Sequence, residues 1–283
     1  MMKNYFKIIL RGIGQVMLQN NALTGLIFLM GIFYNSWIFG LGALLGNLAG
    51  TFSARLFKYS DEDIKNGLYG FNGTLVGIAV WYFYDFNFTS ALAIIIGAIL
   101  STVVMHLMQK RLPPFTAPFV ISTWLIIIGL GFFKLASIAP STLSPVNFFD
   151  LFSAITLGSG QVMFQASAAT GIIFFIALLV NSRPAAAYAL YGSLLGGFFA
   201  LALALPFNMI NLGLFGYNAV LCAIALGEKK FGAFLWATLA ILLSVLLNLW
   251  LGLAGVITLT APFVLAAWII LAIKRFFKNK LLK

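Results

Sequence analysis

The chain reads as an all-α polytopic membrane protein: two inverted repeats, each of five transmembrane helices plus one re-entrant half-helix. An apolar composition, a doubled set of motifs and a one-sided distribution of basic residues carry that expectation. Of 283 residues, 62% are hydrophobic and 8% charged, against roughly half and a quarter in ordinary globular chains. The apolar runs are about 20 residues long, which suits membrane helices and not the ~10-residue strands of an outer-membrane barrel. A net charge of +11 would point to nucleic acid in a soluble protein. Here the basic residues lie between apolar runs, so membrane orientation accounts for them and no nucleic-acid partner is expected. The lone Cys222 excludes a disulfide scaffold or a cysteine-based metal centre and reads as a small buried filler. The N-terminal stretch to Gly12 is short and basic. The Gln15, Gln19, Asn20 and Asn21 that follow make a poor signal-peptide core, so no cleavage is expected.

Internal repetition organises the chain. Residues 12–30, GIGQVMLQNNALTGLIFLM, match residues 158–176, GSGQVMFQASAATGIIFFI, at 11 of 19 positions with an offset of 146. The same offset pairs Asn35-Ser36 with Asn181-Ser182, and the GLYGFN of residues 67–72 with the GLFGYN of 213–218. An offset of 144 pairs the TAPF of 116–119 with that of 260–263, and Trp124 with Trp268. Residues 1–146 are read as the first repeat and 147–283 as the second, together one membrane domain. Apolar spans are expected near 24–40, 38–55, 67–84, 89–109 and 116–133, with counterparts near 170–182, 185–205, 213–227, 231–250 and 255–273. Five spans per copy is an odd number, so the second copy enters from the opposite side.

Charge supports this topology. With the N-terminus inside, 16 of the 17 basic residues fall inside: Lys3, Lys7, Arg11, Arg55, Lys58, Lys65, Lys110, Arg111, Arg183, Lys229, Lys230, Lys274, Arg275, Lys278, Lys280 and Lys283. Lys134 alone falls outside. The positive-inside rule then gives ten spans with both termini cytoplasmic. Residues 12–23 and 158–169 remain, too polar and short to cross. Such backbone persists at membrane depth only inside protein or along a cavity, so each is read as a re-entrant half-helix, with an interfacial helix as the alternative.

The spans are notable for what they lack. Asp61, Glu62, Asp63, Asp85, Asp150 and Glu228 all fall in predicted loops, as do the Lys and Arg residues. His106 is the one ionisable side chain near a span interior, and it reads chiefly as a satisfied core or interfacial histidine. Proton-coupled carriers need intramembrane carboxylates or histidines, and voltage sensors need arginines. No nucleotide-binding loop, protease constellation or cofactor motif can be assembled, so neither an enzyme nor a cofactor is expected. What remains is a pore lined by neutral hydrogen-bonding groups, suited to an uncharged solute moving downhill.

Candidate lining residues come from the doubled motifs. Gln15 and Gln161 present amides at matching places, either to a solute or to a helix end. Thr116 and Thr260 precede Ala-Pro-Phe and read equally as helix entries or as pore hydroxyls. Asn72 and Asn218 must find partners in an apolar interior. A structural role, tying a broken helix, is favoured over facing the pore. The glycines beside them permit close helix contact.

Three motifs in order, RGIGQV, GLYGFNGTLVG and LPPFTAPF, resemble the urea transporter family, and the resemblance covers nearly the whole chain. It implies a bacterial-type channel, hence a bacterial inner membrane, and a homotrimer with a central pore in each protomer. It implies that Gln15 and Gln161 bind solute N–H groups near each mouth. Positions three further on, often aromatic in the family, wall a flat slot; here they are Leu18 and Phe164. Thr116 maps to the constriction, and Thr260 matches it through the repeat. Three departures stand out: Leu18 is not aromatic, Ile257 replaces the proline expected before Thr260, and Ala166-Ser167 replaces Asn20-Asn21. Urea is planar and neutral, with N–H donors around its edge. Apolar faces and a rim of acceptor oxygens would suit it, as would weak serial sites. Ammonia, short amides and water remain alternative solutes.

Overall fold

The computed structural model describes residues 2–138, 145–227 and 231–281. In chain order these form α1 (Met2–Gln15), α2 (Ala22–Asn35), α3 (Trp37–Leu56), α4 (Asp61–Lys65), α5 (Phe71–Phe83), α6 (Phe88–Met108), α7 (Ala117–Phe132), α8 (Leu151–Gly160), a 3₁₀ turn (Gln161–Met163), α9 (Ala168–Asn181), α10 (Arg183–Ala202), α11 (Phe207–Asn211), α12 (Tyr217–Leu226), α13 (Phe231–Leu253) and α14 (Ala261–Leu281). Among the described residues there is no strand. Glu228, Lys229, Lys230 and Lys283 lie outside the described residues.

By packing, the chain divides into two units. The first is Met1–Leu143 with Met163–Asn181; the second is Ser144–Val162 with Ser182–Lys283. In the first unit, α3 packs along α5 at backbone-to-backbone distance. A Cβ built on Gly46 would stand 1.9 Å from the Gly73 carbonyl oxygen, and one on Gly77 would stand 1.8 Å from that of Gly42. No side chain fits there, so these glycines bring the helices together, as small residues do in membrane interfaces. From Phe71 to Trp81, α5 is buried throughout.

Also in the first unit, α2 packs antiparallel against α9 through matched contacts. The Thr24 hydroxyl donates to the Ala177 carbonyl (3.1 Å) and the Thr170 hydroxyl to the Gly31 carbonyl (3.2 Å). Phe28 and Phe174 meet edge to face, their centroids 4.9 Å apart. In the second unit α10, α12, α13 and α14 pack in succession, with a core of Ala154, Ala200, Ile210, Phe215 and Val245.

The outward apolar surface fits a bilayer. Phe52, Phe132 and Trp250 are 69%, 79% and 70% exposed, which water would penalise and lipid does not. Four helices are long and apolar enough to cross by themselves: Trp37–Leu56, Phe88–Met108, Arg183–Ala202 and Gly232–Leu253.

Several boundaries differ from those the sequence suggests. The spans expected at 67–84 and 213–227 are only Phe71–Phe83 and Tyr217–Leu226. Gly67 (φ 77°) and Gly213 (φ 72°) turn the chain left-handed at the expected starts, which ends the short helices α4 and α11 before the next helix begins. Asp61, Glu62 and Asp63 are not in a loop but in the first turn of α4, where the helix dipole favours carboxylates. The helices at the expected half-helix segments, α1 and α8, begin well before the repeated motif, at Met2 and Leu151, and the motif forms their ends. Basic residues assigned to loops are helical too: Lys7 and Arg11 in α1, Arg55 in α3, Lys65 in α4, Arg183 in α10, and Lys274 with Arg275 in α14. With no Gly or Pro after Pro262, nothing stops α14 at the end of its apolar run.

Candidate functional site

α1 and α8 end in the same backbone corner. At the end of α1, the Leu18 N–H donates to the Gln15 carbonyl (2.9 Å) and the Gln19 N–H to that of Gly14 (3.0 Å). This is a glycine-type helix stop, yet a leucine occupies the left-handed position, at φ 60°. Phe164 has the same φ of 60° after α8. Left-handed backbone costs a non-glycine residue about 1–2 kcal/mol. Two large apolar side chains are thus held at strained corners, where glycine would be easier and would present nothing.

In the first unit, two amides missed by sequence reasoning brace these corners. Gln19 donates to the Met17 carbonyl (2.9 Å) and its Oε1 accepts from Asn181 Nδ2 (2.7 Å). Gln165 repeats the arrangement, donating to the Met163 carbonyl and accepting from Asn35 Nδ2 (2.9 Å). Gln19 and Gln165 are 3% and 0% exposed, so the pairing satisfies amides that would be costly alone. The Asn35/Asn181 repeat was the available signal. The exchange of Asn21 for Ser167 is conservative in function: Asn21 Oδ1 caps α2 by accepting from the Leu23 and Thr24 N–H groups, and Ser167 Oγ accepts from the Thr170 N–H (3.4 Å). Asn20 alone has a partner that its counterpart Ala166 cannot reproduce, donating to Asn66 Oδ1 (3.1 Å).

Gln15 is half-buried at the end of α1 and donates Nε2 to the Asn66 carbonyl (3.0 Å). That bond uses one of the two Nε2 hydrogens, and the amide oxygen is available to accept from a donor. Phe164 gathers with Phe119 (centroids 6.3 Å apart), Phe83 (6.1 Å) and Tyr82 (5.1 Å). Phe119 is three residues beyond Thr116, so the corner and the start of α7 are neighbours within this unit. Thr116 is 2% exposed and sits at the N-cap of α7, but its side chain makes no capping bond. The first-turn N–H of Phe119 donates instead to Asn72 Oδ1 (3.1 Å). Asn72 therefore does for α7 what a local cap would do. On the same face of α7, seven residues on, the buried Thr123 Oγ1 has no hydrogen-bond partner among the described residues. Its spacing from Thr116 was the signal for it.

The second unit carries the counterparts. Gln161 follows α8 and is half-buried. Thr260, 2% exposed, precedes α14. Asn218 Oδ1 accepts from the Phe263 N–H (3.1 Å). Leu259 and Phe115, the residues before the two threonines, share a φ of 46°. His106 plays no part at the corners. It stacks on Tyr59 (3.8 Å between centroids) and lies 3.3 Å from the Tyr69 hydroxyl.

Apolar helices, broken segments and buried neutral oxygens together define a multi-pass α-helical membrane protein with no charge placed at its polar corners. A family model described as urea transporter matches residues 6–275, and the chain belongs to that family. It is similar to urea transporter 1 of Rattus norvegicus, 33% identical over 248 residues, covering 81% of this chain and 64% of that protein. The Mus musculus protein of the same name is 31% identical over 251 residues, with the same coverage. That of Ovis aries is 31% identical over 291 residues, covering 93% of this chain and 75% of that one. The chain thus spans under two-thirds of the length of the rat and mouse relatives.

Proposed function

We propose that the protein is a passive channel for urea, a transporter and not an enzyme. The observation that carries the reading is the family match over residues 6–275, and the site chemistry agrees with it. Gln15, Gln161, Thr116 and Thr260 supply neutral acceptor oxygens along the solute path, and Leu18 and Phe164 wall it. Urea's N–H edge takes the oxygens and its flat faces take the apolar walls. Asn72 and Asn218 hold the fifth helices of the two copies in place. Other small neutral solutes, among them ammonia, short amides and water, are the alternative cargo.

The proposed architecture is two inverted repeats, residues 1–146 and 147–283. Its support is the reciprocity of α2 with α9. Thr24 meets Ala177 while Thr170 meets Gly31, and Asn35 meets Gln165 while Asn181 meets Gln19. Swapping i with j in this way is the mark of a two-fold relation, and an odd number of spans per copy would produce it across a membrane. A homotrimer with one pore per protomer, in a bacterial inner membrane with both termini cytoplasmic, completes the proposal.

Stopped-flow light scattering of proteoliposomes tests the activity. Urea entry should be fast, unaffected by a protonophore and equal at pH 6 and pH 8. Urea flux that collapses with the proton gradient removes the passive mechanism. Competition among urea, formamide, thiourea and ammonia then ranks the solutes.

A further inference from the structure

A cavity of about 440 Å³ opens at the root of the first half-helix, where α1, the end of α3 and the short α4 meet. Its lining includes Lys7, Arg11, Arg55 and Lys65, against one carboxylate, Asp61. Two of these cations are oriented by the protein. Arg11 donates to the Lys65 carbonyl (3.0 Å), and the Arg55 guanidinium lies 4.0 Å from the centre of the Tyr5 ring. Gathering four like charges around one space costs Coulomb energy, which an anion in that space would reverse.

The second copy carries no such cluster of charges at the matching positions. A different cavity of about 500 Å³ lies nearby, lined by Leu201, Pro206 and Phe207 and by no residue of α8; Leu201 and Phe207 match Arg55 and Asp61 at the offset of 146. By the same offset Lys7, Arg11 and Lys65 become Ser153, Leu157 and Asn211. The positive-inside rule asks only for basic residues on one side; it does not ask that they line one cavity.

We infer that the cavity of the first copy binds a phosphate group. Guanidinium groups hold phosphate oxygens in pairs, with ammonium groups adding charge, and the surplus of three positive charges suits an anion of more than one charge. The phosphate comes from an anionic lipid headgroup or from a soluble phosphoester. On the last turns of α3, Phe52 and Leu56 are 69% and 67% exposed, so the cavity adjoins an apolar outer surface.

The test uses the full-length protein in phosphatidylcholine nanodiscs. Thermal unfolding is followed as inorganic phosphate is added against chloride of equal ionic strength. Native mass spectrometry then counts phosphatidylglycerol retained from mixed micelles. Arg11→Gln/Arg55→Gln and Lys7→Gln/Lys65→Gln are compared with a control of equal charge loss, Lys110→Gln/Arg111→Gln. Both cavity variants should weaken phosphatidylglycerol retention about tenfold, with the control near wild type. Stabilisation by inorganic phosphate as well identifies the phosphate group alone as sufficient; a response to lipid only assigns the site to a headgroup in the bilayer. If the arginine variant does not fold, the lysine variant carries the comparison. Equal retention by wild type, cavity variants and control, with no response to phosphate, overturns the site.

Discussion

The corner after α1 and the corner after α8 share a backbone and differ in what they display. Both turn left-handed at φ 60°, one on Leu18 and the other on Phe164. Gln19 and Gln165 are bonded alike, and Asn72 and Asn218 accept matching helix N–H groups. Ser193 even takes over a contact from Asn47: each donates to the carbonyl at a matching place in its half-helix, Ile155 and Ile9 (2.8 and 3.2 Å). The two copies satisfy their buried backbone in matching ways, sometimes with different residues, and differ in the side chain held at the left-handed position. The frame groups satisfy buried backbone, so they are the costly ones to change; the residues proposed to line the path should affect flux and selectivity instead.

Four sets of substitutions probe that division, in order of expected effect. Gly77 comes first, because a Cβ there would stand 1.8 Å from the Gly42 carbonyl oxygen; the matching residue in the second copy, Ala223, already has a Cβ. Gly77→Val should cost about 3 kcal/mol through overpacking and abolish monodisperse protein in size-exclusion chromatography, whereas Ala223→Gly should leave a folded protein. A well-folded Gly77→Val protein would show that the helices can separate.

Next come the asparagines. Asn72→Leu and Asn218→Leu each leave a buried N–H unpaired and should cost about 1–3 kcal/mol, read as a lowered thermal midpoint. Asn72→Asp, which keeps the acceptor oxygen, should recover helix packing better than leucine does. Unequal losses from the two leucine variants would break the claim that the frame is shared.

Lining changes should spare stability and alter flux. Thr116→Val and Thr260→Val keep shape and remove a hydroxyl, and each should slow urea entry about fivefold, a loss of roughly 1 kcal/mol in barrier terms, in a protein that still folds. An unaltered rate removes that threonine from the path. Leu18→Phe, which makes the first corner resemble the second, should shift the ranking of urea over thiourea more than it shifts the urea rate.

The smallest effect is electrostatic. Asp150 caps α8, with its carboxyl held below the usual carboxylate range by the Ser153 hydroxyl and then the Ser153 N–H. A depressed value means that its contribution is complete above the ordinary carboxylate pKa and is lost as pH falls through the lowered one. Between pH 6 and pH 8 neither stability nor flux should change on its account, and Asp150→Asn should lower the thermal midpoint only slightly at pH 7. Its counterpart is Asn4, inside α1.

The repeat, the apolar character and most helix positions were legible because each depends on neighbours in sequence. Asn72 and Asn218 stood out because an amide in an apolar run needs a reason. The rest was hidden by distance. Nothing near Gln19 points to Asn181, 162 residues away, and Thr116 reads as a capping residue until the Asn72 oxygen is seen in that role. The true start of α1 was obscured by its alternation of basic and apolar residues, which reads as a tail. The left-handed leucine at position 18 could not be anticipated at all, since propensity would place glycine there.

Met163–Asn181, encoded with the second copy, packs into the first unit. The first unit is therefore unfinished when its own copy of the sequence has left the ribosome. α2 has no α9 until a further stretch has been made, and Gln19 has no Asn181. Synthesis order is built into the packing: residues 1–146, expressed by themselves, lack the α9 that completes the first unit.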